Sequence, residues 1–457
     1  MLHQKVAARV IDKALSLGAD FCEIFAEDRS ELTLKYENQH CTNASRVNIF
    51  GAGIYLLQGK SSVYVYTSDL TEEGLMKLLD RGSCFLKAGS PVAPIAFRER
   101  PMAEPNPYRI HPAAVDLKTK LKVMAETDRA LRDAIKSEYH AEYSYFDVDQ
   151  KVIIASSDGT WAEDQRVTTR LRDRFSVSNG KESAGTFVDF TRPMGFEAFD
   201  NGAQIPVLTR EVRMWEDCLT ADQAPRGRFP VVFEGGSCVG TFFHEACGHQ
   251  LETNHMQNDR AFFRDKIGKR VASEKVTLID DGTLPGQYGS SKYDDEGMPR
   301  QKNVLIENGI LKSFLVDRIG SRQFGVERTG SGRRENYTYA PAARMSNTYL
   351  AAGTDDPDEM IREIDYGILV AGMGGGSGGE EFTLECPRSF LIKDGKIDRL
   401  LKNTMLVGRG DETMLKIDRV ASNVVWEDGG AFCGASSGLC NTTTSGARMR
   451  VTEMVIG

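Results

Sequence analysis

The chain contains no apolar stretch long enough to cross a membrane. Although 40% of its 457 residues are hydrophobic, no run approaches the roughly 18 consecutive apolar residues that a spanning helix needs. The first residues, Met1 to Lys5, lead into a helix-like stretch and carry no apolar signal core. These absences predict a soluble protein with no membrane partner.

Basic residues are not in excess either. Lysine and arginine total 57 against 65 aspartate and glutamate residues, so the formal net charge is -8. Proteins that bind nucleic acid or acidic membranes by general electrostatics need a positively charged surface. The charge balance therefore argues against a nucleic-acid partner, and it leaves a small or peptidic substrate open.

Cysteine pairs of the CxxC type are also missing. The nine cysteines are odd in number and scattered over positions 22, 41, 84, 218, 238, 247, 386, 433 and 440. In a chain of this length such a distribution indicates reduced thiols and a cytoplasmic location, with one or two cysteines available for chemistry.

The first half of the chain alternates helical and strand-like patterns. Apolar residues at helical spacing precede Gly18, and Thr71 is placed to cap a second helix. Strand-like runs are predicted between these helices and after a third helix, over 21–25, 32–36, 47–57, 62–66, 141–146, 151–156 and 168–178. Because the length exceeds that of one typical core, we predict a separate N-terminal helix-and-sheet domain over residues 1–222.

The second half reads as β-rich. It opens with an apolar strand over 229–233, and further strands are predicted, including one over 310–316. Asn308-Gly309 and Asp394-Gly395 are hairpin signals. The sequence thus predicts an α+β fold whose C-terminal domain, residues 223–457, has an antiparallel, barrel-like sheet.

Between two strands of this half lies a helix with the pattern HExxxH. Ser237 is a plausible N-cap, and His244, Glu245 and His249 follow on the helix. Imidazoles bind zinc, and a neighbouring carboxylate can take a proton from activated water. Two residues five positions apart point about 140° away from each other on an ideal helix, so an undistorted helix cannot direct both histidines at one ion. A π-bulge, which adds one residue to a turn, would bring them together. Gly248 would tolerate that distortion.

A catalytic zinc usually needs a third protein ligand, for which the sequence offers three candidates. His255 lies six residues after His249, Glu274 lies farther along, and Cys433 lies in a glycine-flanked loop. A thiolate is a good zinc ligand, but most cysteines of a folded chain are small buried side chains.

Several separate motifs in this order resemble the TldD/PmbA family of peptidases. The resemblance covers most of the chain and rests on Phe243-His244-Glu245-Ala246-Cys247-Gly248-His249, Gly332-Arg333-Arg334-Glu335-Asn336-Tyr337, Arg344-Met345-Ser346-Asn347-Thr348-Tyr349, Gly372-Met373-Gly374-Gly375-Gly376 and Phe432-Cys433-Gly434. The segment 435–440 differs from the lysine- and glutamine-containing loop of that group.

The resemblance implies a zinc metallopeptidase of the active TldD type, since this chain keeps the HExxxH residues. By the resemblance, His244, His249 and Cys433 would be the metal ligands and Glu245 the general base. It also implies short or unfolded peptides as substrates, and a homodimer or a heterodimer with an inactive paralogue.

Two further features bear on the substrate. Arg333 and Arg334 could bind a peptide carboxylate or pair with acidic neighbours such as Glu335. The glycine run 372–379 lacks the Lys-Ser/Thr of a phosphate loop. Its small residues could instead let an extended peptide lie along the backbone as an added strand.

Zinc-dependent hydrolysis of peptides is therefore the leading hypothesis. The alternative is a non-catalytic peptide-binding or regulatory module with a structural zinc, which would need a fourth ligand such as His255, Cys247 or Cys440. A different hydrolase, such as an amidase, would use the same activated water. Glu245 favours an enzyme, because a closed structural site has no use for an adjacent base.

Overall fold

The first half of the chain is a long-stranded sheet with helices on it. The computed structural model describes residues 1–86, 95–257, 261–379, 381–426 and 429–457. The elements of this half are α1 (Gln4–Ser16), β1 (Phe21–Glu37), β2 (His40–Gln58), β3 (Ser61–Thr67), α2 (Glu72–Ser83), β4 (Arg98–Glu99), α3 (Leu117–Ala134), β5 (Glu138–Ser156), β6 (Thr160–Ser178), β7 (Ser183–Arg192) and α4 (Gln204–Cys218).

The strands of this half form one curled sheet in the order β3-β2-β1-β5-β6-β4, with β7 added to β6. All pairings are antiparallel except the short parallel contact of β4 with β6. The strands predicted over 21–25 and 32–36 are one strand, as are those over 141–146 and 151–156. The polar stretch between the first two does not break the strand, because its side chains have partners; Glu27, for example, accepts from Gln150 Nε2 at 2.7 Å.

Two pairs of helices cover this sheet. Buried side chains of α1 and α2 share one core with the ends of β1 and β2, and α3 and α4 share another with the middle strands. Thr71 caps α2 as predicted, since its hydroxyl accepts from Gly74 N at 3.1 Å. The sequence did not predict α4.

The second half is built on a larger sheet. Its elements are β8 (Asp222–Gln223), β9 (Gly227–Phe233), α5 (Ser237–Phe243), β10 (Leu278–Asp281), β11 (Lys302–Glu307), β12 (Ile310–Leu311), α6 (Arg318–Phe324), β13 (Gly332–Arg333), β14 (Ala342–Ala343), β15 (Asn347–Leu350), α7 (Glu359–Arg362), β16 (Tyr366–Gly372), β17 (Gly375–Ser377), β18 (Glu381–Cys386), β19 (Arg388–Lys393), β20 (Lys396–Lys402), β21 (Thr404–Arg409), α8 (Gly410–Thr413), β22 (Ile417–Val425), β23 (Ala431–Ala435) and β24 (Gly438–Ile456).

This sheet is mixed, although most of its pairings are antiparallel. β9 with β16, β15 with β24 and β8 with β20 are parallel. Parallel neighbours need a crossover connection, and the chain between β9 and β16 begins its crossover with α5. The α+β class, with a helix-and-sheet first half and a β-rich second half that carries the HExxxH helix, is confirmed. The boundary between residues 222 and 223 stays a prediction.

Local turn chemistry in this half follows the sequence closely. Asn308 and Gly309 have φ values of 48° and 79°, and Asp394 and Gly395 have 50° and 71°. These left-handed pairs join β11 to β12 and β19 to β20, which confirms both predicted hairpins. The strand predicted over 310–316 is wrong beyond Leu311. The N–H groups of Lys312 and Ser313 both donate to the Leu305 carbonyl of β11, which ends the regular ladder, and Leu315 bonds instead to the end of the HExxxH segment.

No helix within the described ranges combines the length and the apolar character that crossing a bilayer would require.

Candidate metal centre

The helix α5 places the HExxxH residues against the large sheet. Its buried side chains, including Val239, Phe242 and Phe243, belong to the main core of the second half. Gly240 permits close approach, because a Cβ there would lie 2.1 Å from the backbone nitrogen of Ser445 on β24. The predicted cap is wrong by one residue: α5 begins at Ser237, and Gly236, with φ 92°, precedes it.

The residues His244–Gly248 form a π-helical turn, as the five-residue spacing requires. The wider turn brings the two histidines together, with ring centroids 4.8 Å apart and planes at 84°. Gly248 closes the turn beneath Met345, whose Sδ would lie 2.3 Å from a Cβ at that position. The local distortion predicted from the spacing is therefore present.

Cys433 reaches the histidines from a hairpin far along the chain. It lies on β23, which pairs with the start of β24 so that Cys433 faces Cys440 in register. The Cys433 Sγ is 3.1 Å from His244 Nε2 and 3.5 Å from His249 Nε2. All three donor atoms lie within 4.8 Å of one another.

This donor set suits zinc in chemistry and in spacing. A tetrahedral zinc bound to imidazole and thiolate separates nitrogen from sulfur by about 3.6 Å, close to the two observed distances. Burial raises the pKa of the Cys433 thiol, but the hydrogen bonds and charges of His244 and His249 outweigh it and lower that pKa to about 5. At neutral pH the sulfur is therefore a thiolate, which is the form that binds metal. His244 Nδ1 is buried and no described residue bonds to it.

The carboxylate of Glu252 contacts His249 on the ring nitrogen that faces away from Cys433. Glu252 is fully buried, and its Oε2 lies 3.3 Å from His249 Nδ1 and 3.5 Å from His255 Nε2. Burial lowers the pKa of His249, whereas Cys433 and Glu252 raise it, and the net value is about 10. A carboxylate at Nδ1 fixes the imidazole so that Nε2 points to the thiolate.

The other candidate ligands are placed elsewhere. Glu274 is exposed and belongs to neither of the two groups of described side chains that could hold a metal ion. His255 stays half-exposed and groups with Glu252. Cys247 is buried with its thiol directed to the carbonyl of Phe243, 3.4 Å away. Cys440 lies beside Cys433, with Sγ 3.9 Å from a guanidinium nitrogen of Arg344.

Glu245 is half-buried on the π-turn, and no described residue pairs with its carboxylate. The glycine run packs directly on it: a Cβ at Gly376 would lie 2.9 Å from Glu245 Cγ. Gly376 belongs to β17, an exposed short strand that pairs with β18 on one side. The glycine run therefore places solvent-exposed backbone of β17 beside Glu245, the predicted base.

The two predicted substrate arginines have different surroundings. Arg334 is fully buried, and its Nη2 lies 2.6 Å from both Glu23 Oε1 and the Asp295 carbonyl oxygen. Ion pairing, one of the alternatives that the sequence left open, thus describes Arg334, although with Glu23 instead of Glu335. Arg333 donates to the Met345 carbonyl at 2.6 Å, and no described carboxylate pairs with it.

Both arginines line a cavity of about 170 Å³ between the two halves of the chain. The hairpin next to Cys433 forms part of its wall through Phe432, Leu439 and Cys440. A role for either arginine in substrate binding stays a prediction.

Glu252 and Arg344 are the site residues that sequence reasoning missed. Glu252 lies three residues after His249, a spacing that brings side chains together on a helix and could have indicated it. Arg344 belongs to a motif that carried the family resemblance, but no local pattern tied it to the predicted metal ligands.

Three sequence profiles of one family match this chain. They are described as PmbA/TldA metallopeptidase domain 1 over residues 22–83, the central domain over 110–213 and the C-terminal domain over 226–457. The last covers both the HExxxH turn and the Cys433 hairpin.

Similar proteins span nearly the full length. The metalloprotease TldD homolog of Buchnera aphidicola is 30% identical over 96% of this chain and 92% of its own. The metalloprotease TldD homolog of Haemophilus influenzae is 32% identical over 89% of this chain and 86% of its own length. The crystal structure of TldE from Thermococcus kodakarensis shares the fold, with a TM-score of 0.75 over 99% of this chain and 100% of that chain at 18% identity. This chain belongs to the PmbA/TldD metallopeptidase family.

Proposed function

We propose that this chain is a zinc-dependent peptidase whose metal is held by His244, His249 and Cys433. The observation that carries the proposal is the convergence of these three donor atoms within 4.8 Å. Three protein ligands leave a fourth position open on a tetrahedral ion, which is typical of catalytic zinc and not of structural zinc. The metalloprotease names of the relatives support the same class of reaction.

When bound, the zinc supplies a Lewis acid that lowers the pKa of water toward about 7 and polarises a carbonyl oxygen. Glu245 accepts the proton of the attacking water and delivers it to the leaving amine. Its carboxylate is suited to this step, because no residue in the described part of the chain forms an ion pair with it that would have to break first. A thiolate ligand donates more charge than an imidazole, so we expect modest turnover.

We propose that the peptide lies along β17. Gly376 and Ser377 are exposed, and no described strand pairs with the edge of β17 opposite β18. An extended peptide can add to such an edge through main-chain hydrogen bonds, which suits short or unfolded peptides of varied sequence. The contact of Gly376 with Glu245 would then bring a peptide bond close to the base.

Arg333 is the stronger candidate for a substrate contact of the two arginines. It faces the cavity without a described carboxylate partner, and a guanidinium binds a carboxylate with two parallel hydrogen bonds. We propose that Arg333 binds an acidic group or the C-terminus of the peptide, while Arg334 holds the cavity wall through Glu23.

The test is hydrolysis of a mixture of unstructured peptides, followed by mass spectrometry, with zinc content measured in the same samples. The parent chain is compared with Glu245→Gln, and with Glu274→Gln as the control at an exposed carboxylate. We expect cleavage by the parent and the control, and none by Glu245→Gln despite bound zinc. Cleavage by Glu245→Gln at the parent rate would show that the base is wrongly assigned.

The predicted assembly and location are part of the same proposal. We propose a cytoplasmic enzyme that forms a homodimer, or a heterodimer with a paralogue that lacks the HExxxH residues. Native mass spectrometry of the purified chain, alone and mixed with such a paralogue, measures the assembly. If the zinc-loaded chain cleaves no peptide in either state, the peptidase proposal is wrong.

A further inference from the structure

Two buried residues outside the ligand set connect the two segments that supply the metal ligands. Glu252 ends the HExxxH segment, and Arg344 follows β14; both side chains have 0% exposure. Arg344 Nε lies 3.6 Å from Glu252 Oε1, which also accepts from the backbone N–H of Met345 at 3.2 Å. The pair sits between His249 on one side and Cys433 on the other.

On the histidine side, Glu252 determines how the imidazole is presented. Rotation about the last side-chain bond of a histidine is soft, so the ring needs a second contact to hold it. The hydrogen bond from Nδ1 to Glu252 Oε2, at 3.3 Å, provides that contact and leaves Nε2 of His249 facing Cys433.

On the cysteine side, Arg344 holds the hairpin. Its Nη2 donates to the Cys433 carbonyl at 2.5 Å, and its Nη1 donates to Ser437 Oγ at 3.1 Å and to the Gly438 carbonyl at 2.9 Å. One guanidinium thus contacts β23, the turn and β24. Most residues of β23 are exposed, and a short hairpin with little buried surface is marginally stable by itself, so it needs such an anchor.

We propose that Glu252 and Arg344 are positioning residues, which together set the distance and orientation of His249 relative to Cys433. This inference rests on the proposed zinc site. The planar fork of arginine reaches three acceptors and a carboxylate at once, whereas lysine carries the same charge on a single nitrogen. Stabilisation of the fold alone would not need side chains that contact both His249 and the Cys433 hairpin.

The test measures zinc affinity by competition with a chromophoric chelator in Glu252→Gln and Arg344→Lys. It also measures the thiolate-to-cobalt charge-transfer band after cobalt replaces zinc. We expect zinc affinity to fall by about 10- to 100-fold in both variants, the range found when the outer partners of metal-binding histidines are changed. In Arg344→Lys the charge-transfer band should also weaken, because the thiolate is no longer held in place.

The matched control is Arg450→Lys, on the long strand β24 that Arg344 contacts at Gly438. Arg450 is nearly buried and pairs with Asp418 at 2.6 Å and 3.0 Å and with Glu363 at 2.6 Å, but it touches no residue of the metal site. We expect this variant to lose thermal stability and to keep the zinc affinity and the cobalt spectrum of the parent.

Circular dichroism first establishes which variants are folded. Glu252→Gln preserves the volume and an acceptor oxygen, so it provides the decisive measurement if Arg344→Lys does not fold. Parent affinity and parent spectrum in the folded variants would overturn the positioning role while leaving the zinc site intact. Absence of zinc binding in the parent chain would instead overturn the proposed function, and this inference with it.

Discussion

Gly378 lies directly against the backbone of Glu245. A Cβ added at Gly378 would stand 2.2 Å from the Glu245 carbonyl oxygen, far inside van der Waals contact. A Cβ added at Gly376 would stand 2.9 Å from Glu245 Cγ. The glycine run and the HExxxH turn are therefore packed to backbone contact, although more than 120 residues separate them in the chain. The position of the predicted base therefore depends on the absence of a side chain at Gly376 and at Gly378.

Gly378→Ala should displace the π-turn and reduce peptide hydrolysis. We expect kcat/KM to fall at least tenfold and stability to fall by about 1–3 kcal/mol, as in other overpacked sites. The control is Gly379→Ala, because a Cβ at Gly379 would meet its nearest atom only at 3.8 Å. Steady-state kinetics and thermal melts of both variants measure the effect. Parent kinetics in Gly378→Ala would mean that the contact does not position Glu245.

Cys433→Ser should abolish stoichiometric zinc binding, whereas Cys440→Ser should retain it. The two cysteines are register partners with similar burial, but only Cys433 lies within 3.5 Å of both imidazoles. A serine hydroxyl is not ionised at neutral pH and is a poor zinc ligand. Metal analysis after dialysis gives the stoichiometry; zinc loss in Cys440→Ser alone would reassign the third ligand.

Zinc should stabilise the folded chain, and the stabilisation should depend on the proposed ligands. At free zinc of 100 times Kd, binding to the folded state contributes about 2.7 kcal/mol and raises the melting temperature. We expect His244→Ala to lose this shift and His255→Ala, at a half-exposed side chain outside the ligand set, to keep it. Differential scanning fluorimetry with and without zinc is the measurement. An unchanged zinc shift in His244→Ala would contradict the ligand assignment.

Asp173→Asn should increase stability at alkaline pH. Asp173 is fully buried, and burial raises its pKa to about 7 even though Tyr139 donates a hydrogen bond to it at 2.5 Å. A raised folded-state pKa favours folding below the unfolded value near 4, and this contribution is lost as pH rises through 7. Asparagine does not ionise, so the variant keeps its free energy of unfolding over this range. The difference in free energy of unfolding between the variant and the parent should therefore grow between pH 4 and 7 and reach on the order of 4 kcal/mol.

Urea unfolding of parent and Asp173→Asn at pH 5 and pH 8 measures that difference. Asp80→Asn, at an exposed helix position, is the control and should follow the parent at both values. A variant less stable than the parent at pH 8 would show that the hydrogen bond from Tyr139 matters more than the desolvation of the carboxylate.

Local chemistry explains the parts of the fold that could be predicted. Asn308-Gly309 and Asp394-Gly395 adopt left-handed backbone that few other residue pairs tolerate, so their hairpins are encoded within two residues. Likewise, a spacing of five positions between the two histidines predicts a distorted turn if both bind one ion, because an undistorted α-helix would direct them about 140° apart. The helix stop at Gly18 and the cap at Thr71 are of the same kind.

Predictions failed where distant contacts override local pattern. The polar stretch between residues 25 and 32 suggested a break, but partners on neighbouring strands keep β1 continuous. The stretch over 310–316 suggested one strand, but the regular ladder ends after Leu311 and Leu315 bonds to the HExxxH segment instead. At Gly236 a positive φ moves the helix start by one residue, and nothing in the spacing indicated this.

The sequence by itself determined the chemistry of the candidate site: two imidazoles at π-turn spacing, an adjacent carboxylate, and a set of motifs that includes a late cysteine. The resemblance pointed to Cys433 among the nine cysteines, but only the tertiary structure brings its thiol to the histidines and shows that Glu252 and Arg344 connect them. The physical reason is range. Helix periodicity and turn preferences act over a few residues, whereas Cys433 and His249 are 184 positions apart, and only the packing of the hairpin on the HExxxH helix brings them together.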